Sequence, residues 1–294
     1  MEEASRLGPA APGSTVQVSA TCPSGTAPVG GGASTLLVSG RMPPSSLHVL
    51  GSFPVAAEGG TRVASWVTIG ATGGQLVFGG QTTSLVVCTD LNLPPLQVVL
   101  TSAAGPARSA TISKATATCP PGATLVSGGA DVSAPASSPS LHLIGSFPSL
   151  AAGAPAPQGS TPASWTAIAD AGGRGGSGIR ITAYAVCGTG SRFRPARLAV
   201  ADVPGPRTAS TAMSATARCA AGTTLLGGGV NTGLPSGQAP QQGIHLTGSF
   251  PSLSSGQVAA AGTRPTGWTA RAESGGQPTP NIVTTSYALC AAVP

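Results

Sequence analysis

The chain has 294 residues, a net charge of +6 and only 7% charged residues. Gly (43) and Pro (28) make up about a quarter of it, near the composition of low-complexity chains, yet 40% of the residues are hydrophobic, more than a disordered chain carries. No apolar run reaches the roughly 18 residues of a membrane span, and scattered arginines with 3% aromatics exclude the basic, stacking stripe of a nucleic-acid binder.

Three copies of one pattern, about 100 residues each, fill the chain: 1–90, 91–190 and 191–294. The first opens at Met1 without the basic and apolar segments of a signal peptide, and its first strand is shortened. We therefore expect Met1 to be a processed start or a start placed downstream of the true one. In the second copy, short Val-, Ile- and Thr-rich runs bounded by Gly and Pro predict strands over Leu96–Ser102, Ala110–Cys119, Thr124–Val132, Leu141–Phe147, Ser164–Asp170 and Ile179–Cys187. If alternation is unbroken in the fourth, Leu141, Leu143, Gly145 and Phe147 share the core face, and His142 and Ser146 the other. The third copy repeats the order. Arg192, Arg194 and Arg197, between the repeated motifs of the second and third copies, read as a solvated linker. The fold class expected is all-β, with three homologous antiparallel units arranged either as one pseudo-threefold, β-prism-like body or as three tandem β-sandwiches.

Six cysteines allow fifteen pairings, and the repeat selects Cys22–Cys88, Cys119–Cys187 and Cys219–Cys290. Each closes a loop long enough to be worth about 4 kcal/mol through the unfolded chain. Paired Cys-x2-4-Cys ligands are missing, which argues for disulfides over zinc and for maturation outside a reducing cytosol. The glycine runs at Gly30–Gly32, Gly128–Gly129 and Gly227–Gly229 lack the Lys and following helix of a phosphate loop. They mark close approach within a sheet, with the repeat's own Trp as a candidate occupant.

Two residue sets are candidate ligand-binding positions. His48, His142 and His245 could meet as a three-histidine metal site only if they lie on the threefold axis; a residue facing away from the core instead points to solvent, so no metal and no other cofactor is expected. Trp66, Trp165 and Trp268 would stack on sugars if exposed, whereas a Trp filling space over strand glycines is buried. Ser52, Ser146 and Ser249 each follow a His by four residues, but no acid recurs in all three copies to complete a catalytic triad. No enzyme is expected.

The string C-P-x-G-[TA]-x-L-x-G-G-G…G-S-F-P-S…W-T-A…Y-A-x-C resembles a repeat of uncharacterised secreted proteins of high-GC bacteria. That resemblance spans the whole chain on short motifs and implies an extracellular, non-catalytic, β-rich protein. The layout is also similar in logic to vitelline-membrane outer-layer and jacalin-type β-prisms. The function expected is extracellular binding or adhesion, with a glycan or cell-envelope polymer as partner. A structural coat or appendage component is the alternative, ahead of a secreted hydrolase.

Overall fold

The computed structural model describes residues 1–40, 46–89, 96–135, 140–173, 175–189, 196–233, 243–276 and 281–292. The positions 90/91 and 190/191 that separate the repeats in sequence, with Arg192 and Arg194, lie outside them. Each repeat contributes six strands. The first gives β1 (Glu2–Leu7), β2 (Thr15–Thr21), β3 (Ala27–Leu37), β4 (Leu47–Ala56), β5 (Val63–Thr72) and β6 (Gly80–Thr89). The second gives β7 (Gln97–Ala104), β8 (Thr111–Thr118), β9 (Thr124–Ser133), β10 (Leu141–Ser149), β11 (Ser164–Ala171) and β12 (Arg180–Gly188). The third gives β13 (Arg197–Pro204), β14 (Ala212–Arg218), β15 (Thr223–Gly233), β16 (Ile244–Ser252), β17 (Gly267–Ser274) and β18 (Val283–Ala292). The Cys-Pro-x-Gly signature is the turn between the second and third strands. Thr26 N donates to Pro23 O at 3.1 Å, and Gly25 at φ 85° takes the position of a type II turn that favours glycine. Ala220 replaces that proline in the third repeat, and Thr223 N still reaches Ala220 O at 3.1 Å.

The strands form three six-stranded antiparallel sheets, in the orders β1-β6-β3-β16-β17-β14, β13-β18-β15-β10-β11-β8 and β2-β5-β4-β9-β12-β7. Every sheet takes the first, sixth and third strands of one repeat and the fourth, fifth and second of another. The halves meet over only two residue pairs, such as Gly145↔Asn231 and Ser146↔Val230. The corresponding seams are Gly51↔Asp131 with Ser52↔Ala130, and Gly248↔Ser34 with Ser249↔Ala33. Within a repeat the two halves face each other as layers: Ser84 Oγ of β6 donates to Trp66 O of β5 at 2.8 Å, and Thr68 Oγ1 donates to Gly32 O at 3.3 Å. The protein is therefore a closed ring of three two-layered units whose sheets run on from one unit into the next. A row of independent sandwiches is not what forms.

Two details of the motif build the seams. A Cβ on Gly31 would lie 2.4 Å from the ring of Trp66, on Gly128 2.3 Å from Trp165, and on Gly228 2.4 Å from Trp268. A Cβ on the next glycine, Gly32, Gly129 or Gly229, would lie 2.3 Å from the carbonyl oxygen of Ser249, Ser52 or Ser146 in the adjoining repeat. Real Cβ atoms do not pack this closely, so one glycine admits the repeat's own indole and the following one admits the neighbour's backbone. Val49, Leu143 and Leu246, one from each repeat, wall the central space with Ser52, Ser146 and Ser249. The largest apolar cluster centres on the second repeat and reaches Ala33 and Val49 of the first and Val230, Leu246 and Tyr287 of the third.

The disulfides are Cys22–Cys88, Cys119–Cys187 and Cys219–Cys290, with Cα–Cα distances of 5.7, 5.6 and 5.6 Å. Each joins the end of a repeat's second strand to its sixth, and so staples one layer to the other. The expected alternation in the fourth strand needs correction. A β-bulge between Leu143 and Gly145 adds one residue, and the same bulge recurs between Val49 and Gly51 and between Leu246 and Gly248. An inserted residue exchanges the faces beyond it. Leu141 and Leu143 therefore share a face with Ser146, while His142 shares the opposite face with Gly145 and Phe147.

Candidate functional site

The tryptophans are not a ligand-stacking surface. Trp66, Trp165 and Trp268 are 1%, 0% and 1% exposed, and each Nε1–H donates to the serine hydroxyl of its own Gly-Ser-Phe-Pro segment: Ser52 at 2.9 Å, Ser146 at 3.0 Å and Ser249 at 2.9 Å. Burial of an indole requires such an acceptor. These serines are thereby occupied on the face opposite the histidines, so the His-x-x-x-Ser spacing brings no Ser–His pair together.

The histidines keep the face that alternation gives them, opposite Leu141 and Leu143, but that face does not point to solvent as expected. Because β4, β10 and β16 meet at one end of the axis, the three rings converge, with centroids separated by 5.0 Å (His48–His142), 5.7 Å (His48–His245) and 5.6 Å (His142–His245). His48 and His245 are each 2% exposed, and His142 is half-buried. Burial pushes His48 down to about 4 and His245 to about 3; in His142, burial and the two neighbouring imidazoles hold the ring well below its ordinary value. All three are neutral at physiological pH. His48 Nδ1 lies 3.1 Å from Ser46 O, to which it donates, and the Leu141 carbonyl is a second backbone acceptor for the same ring. Register sets Asp170 opposite His142 and Glu273 opposite His245, while Ala71 lies opposite His48. Both carboxyls are buried and pushed up to about 7 by desolvation. As the rings are turned in the structure, among the described residues no group of three or more His, Cys, Asp or Glu side chains is arranged to hold a metal ion.

A second feature lies on the outer face of the sheet shared by the second and third repeats. The β10–β11 connection folds back over that face and anchors on the edge strand β13: Gly159 N donates to Leu198 O at 2.7 Å, Leu198 N donates to Ser160 O at 3.0 Å, and Val200 N donates to Gln158 Oε1 at 2.6 Å. Beneath this strap is a cleft of about 610 Å³, roofed by residues 155–158 and floored by Val200, Asp202, Asn231, Val283, Thr285 and Tyr287. That volume is in the range of small-molecule sites. The Tyr287 hydroxyl bonds to the Asn231 and Thr285 side chains, and burial, with the nearby Asp202 charge, raises its pKa. Its ring stacks on Phe147, centroids 5.7 Å apart, so the tyrosine is both packing and cleft wall.

Tyr184 and Tyr287 stand where the first repeat has Leu85, and Asp131 stands where the other repeats have Asn231 and Ser34; nothing in the sequence joins these positions to Asp202 or Gln158. The available signal was that these positions vary while the surrounding motif does not. Register makes the non-equivalence explicit: Tyr287 and Thr285 face Val200 and Asp202, Tyr184 and Thr182 face Leu100 and Ser102, and Leu85 and Thr83 face Glu3 and Ser5. The three outer faces are chemically different. No protein-family model matches the chain, and a search of curated proteins likewise finds no match.

One substitution reads this asymmetry directly. Burial pushes the Asp131 carboxyl up to about 6, and its Oδ1 has no hydrogen-bond partner. A raised folded-state pKa means that the stability associated with the protonated acid is fully present below about 3.8 and is lost as pH rises through 6. Asp131→Asn, which installs the third repeat's residue, is expected to stabilise the protein by about 1–2 kcal/mol at pH 8 and by almost nothing near pH 4. Thermal unfolding at the two pH values checks this.

Proposed function

We propose that the protein is an extracellular, non-catalytic binding module whose ligand is a glycan or a similar hydroxyl-rich polymer of the cell envelope. The cleft under the β10–β11 strap carries this reading. It converges an amide (Asn231), a carboxylate (Asp202) and two hydroxyls (Thr285 and Tyr287) above the apolar side chains Val200 and Val283. Planar amides and carboxylates hydrogen-bond adjacent sugar hydroxyls in pairs, and apolar wall atoms cover the C–H faces of the ring. Three disulfides support an oxidising compartment, and among the described residues no helix is long and apolar enough to cross a membrane. Because the cleft's polar set belongs to one sheet, this reading gives the protein one principal site.

The test is a glycan array with the full chain, followed by titration of the best hit. Asn231→Ala and Tyr287→Phe are expected to weaken binding about tenfold or more, since each leaves ligand hydroxyls unpaired. A second reading, a structural coat or appendage component, draws on the fact that the repeated motif is spent on packing: its Trp side chains, paired glycines and Ser hydroxyls are all committed to the interior. An array without hits, together with ordered self-assembly in light scattering and electron microscopy, would favour that reading over the first.

A further inference from the structure

We propose that the three axial histidines are the ligand set of a metal site for a divalent transition ion of the zinc type, one ion per chain. The spacing is suited to this. Three imidazole nitrogens held 2.0–2.1 Å from one metal, at angles between tetrahedral and trigonal, place their ring centroids about 5.2–5.5 Å apart. The observed separations are 5.0, 5.7 and 5.6 Å. The protonation pattern fits as well. Metal-bound histidines hand their second ring N–H to a carbonyl or carboxylate, and His48 does so through Nδ1 to Ser46 O.

The second observation is a concentration of orphaned polar atoms. His245 Nε2, His142 Nδ1, both carboxyl oxygens of Asp170 and Glu273 Oε2 are buried without a hydrogen-bond partner. Buried polar groups without partners are rare, and each calls for a water, an ion or a functional account. Here five gather on two cross-strand pairs, His142↔Asp170 and His245↔Glu273. Two ionised carboxylates and three neutral imidazoles sum to the charge that a divalent cation cancels, so an ion would leave the buried cluster neutral. Three histidines supply the primary ligands, and the acids on two of the paired strands, β11 and β17, give the fourth ligand or hold the imidazoles.

The rings as they stand do not point their nitrogens at one centre, and His48 and His142 are set edge to face at 87°. Binding an ion therefore requires the imidazoles to turn, with His48 giving up one of its two backbone-carbonyl contacts. The proposal departs from the sequence expectation of no metal, which rested on a solvent-facing assignment of the histidines. It is independent of the glycan reading, since the cleft contains none of these residues.

The experiment takes the full, disulfide-bonded chain, strips it by dialysis against a chelator, and titrates it with Zn²⁺ and with Co²⁺. We expect one equivalent bound by plasma mass spectrometry after desalting, visible Co²⁺ absorption of a four-coordinate complex, and a rise in Tm reversed by chelator. His245→Ala should lose at least a hundredfold in affinity, and Glu273→Gln about ten- to a hundredfold. Circular dichroism identifies any variant that fails to fold; if His245→Ala does, His142→Ala, at the least buried of the three residues, takes its place. A folded wild-type chain that retains no metal and shows no Tm change with Zn²⁺ overturns the proposal and leaves the orphaned atoms to ordered water. Undiminished binding by folded histidine variants overturns it equally, by placing the ion elsewhere.

Discussion

Trp165→Ala is expected to destabilise the protein by about 3–5 kcal/mol, the range for removing a large aromatic from a close-packed core. The indole is fully buried and sits directly over Gly128, where a Cβ would come within 2.3 Å of the ring. Its loss opens a cavity bounded on one side by backbone that cannot collapse into it, and strands the Ser146 hydroxyl that now accepts from Nε1. The complementary change, Gly128→Ala, overpacks the same site and is expected to cost about 1–3 kcal/mol or more. Chemical denaturation of both variants measures the pair. A loss below about 1 kcal/mol for Trp165→Ala would contradict the layer packing described above.

Removing one disulfide, as in Cys119→Ala with Cys187→Ala, should lower stability by about 4 kcal/mol if the closed loop constrains the unfolded chain as expected. The bridge spans 68 residues of sequence and joins the two layers of one repeat, so its loss also frees the layers to part. The core between them is thin, because glycine and alanine fill positions that larger side chains would occupy in most sandwiches. Reduction of all three bridges is therefore expected to abolish cooperative unfolding near 37 °C, as loss of native disulfides commonly does in secreted domains. Tm with and without reductant, and the denaturation midpoint of the double variant, test this. An unchanged midpoint would assign the stability to the sheet seams instead.

Much of the fold was legible in the sequence because its signals are local and repeated three times. Strand positions followed from Gly and Pro punctuation, the cysteine pairing followed from symmetry, and the paired glycines foretold the approach of the repeat's own Trp. The sharing of sheets between repeats had no such signal: edge pairing over two residues leaves almost no pattern in either strand. The bulge at Ile144 was equally silent. Its counterparts are Leu50 and Thr247, ordinary residues whose extra length shows only against the partner strand, and it moved Phe147 to the face shared with His142. The axial meeting of the histidines depends on three strands converging at the end of a ring, which no single copy can reveal. The cleft residues Asp202, Asn231 and Tyr287 come from separate strands of one repeat, with a strap supplied by another.

The seam that closes the ring, β16 on β3, joins the last repeat to the first and has the same two-pair register as the seams between consecutive repeats. Each repeat thus presents two unlike edges and associates head to tail, and the rotation between units returns to its start after three. The contacts are those of a cyclic trimer; the connecting peptides supply proximity and not the interface itself. Joining three subunits into one polypeptide has a consequence that a trimer of identical chains cannot share, because each copy is then free to diverge. Asn231 with Tyr287, Asp131 with Tyr184, and Ser34 with Leu85 occupy corresponding places on three faces of one scaffold. A symmetric frame encoded in a single chain can carry asymmetric surfaces, with the threefold preserved where the histidines meet and abandoned where the faces open to solvent.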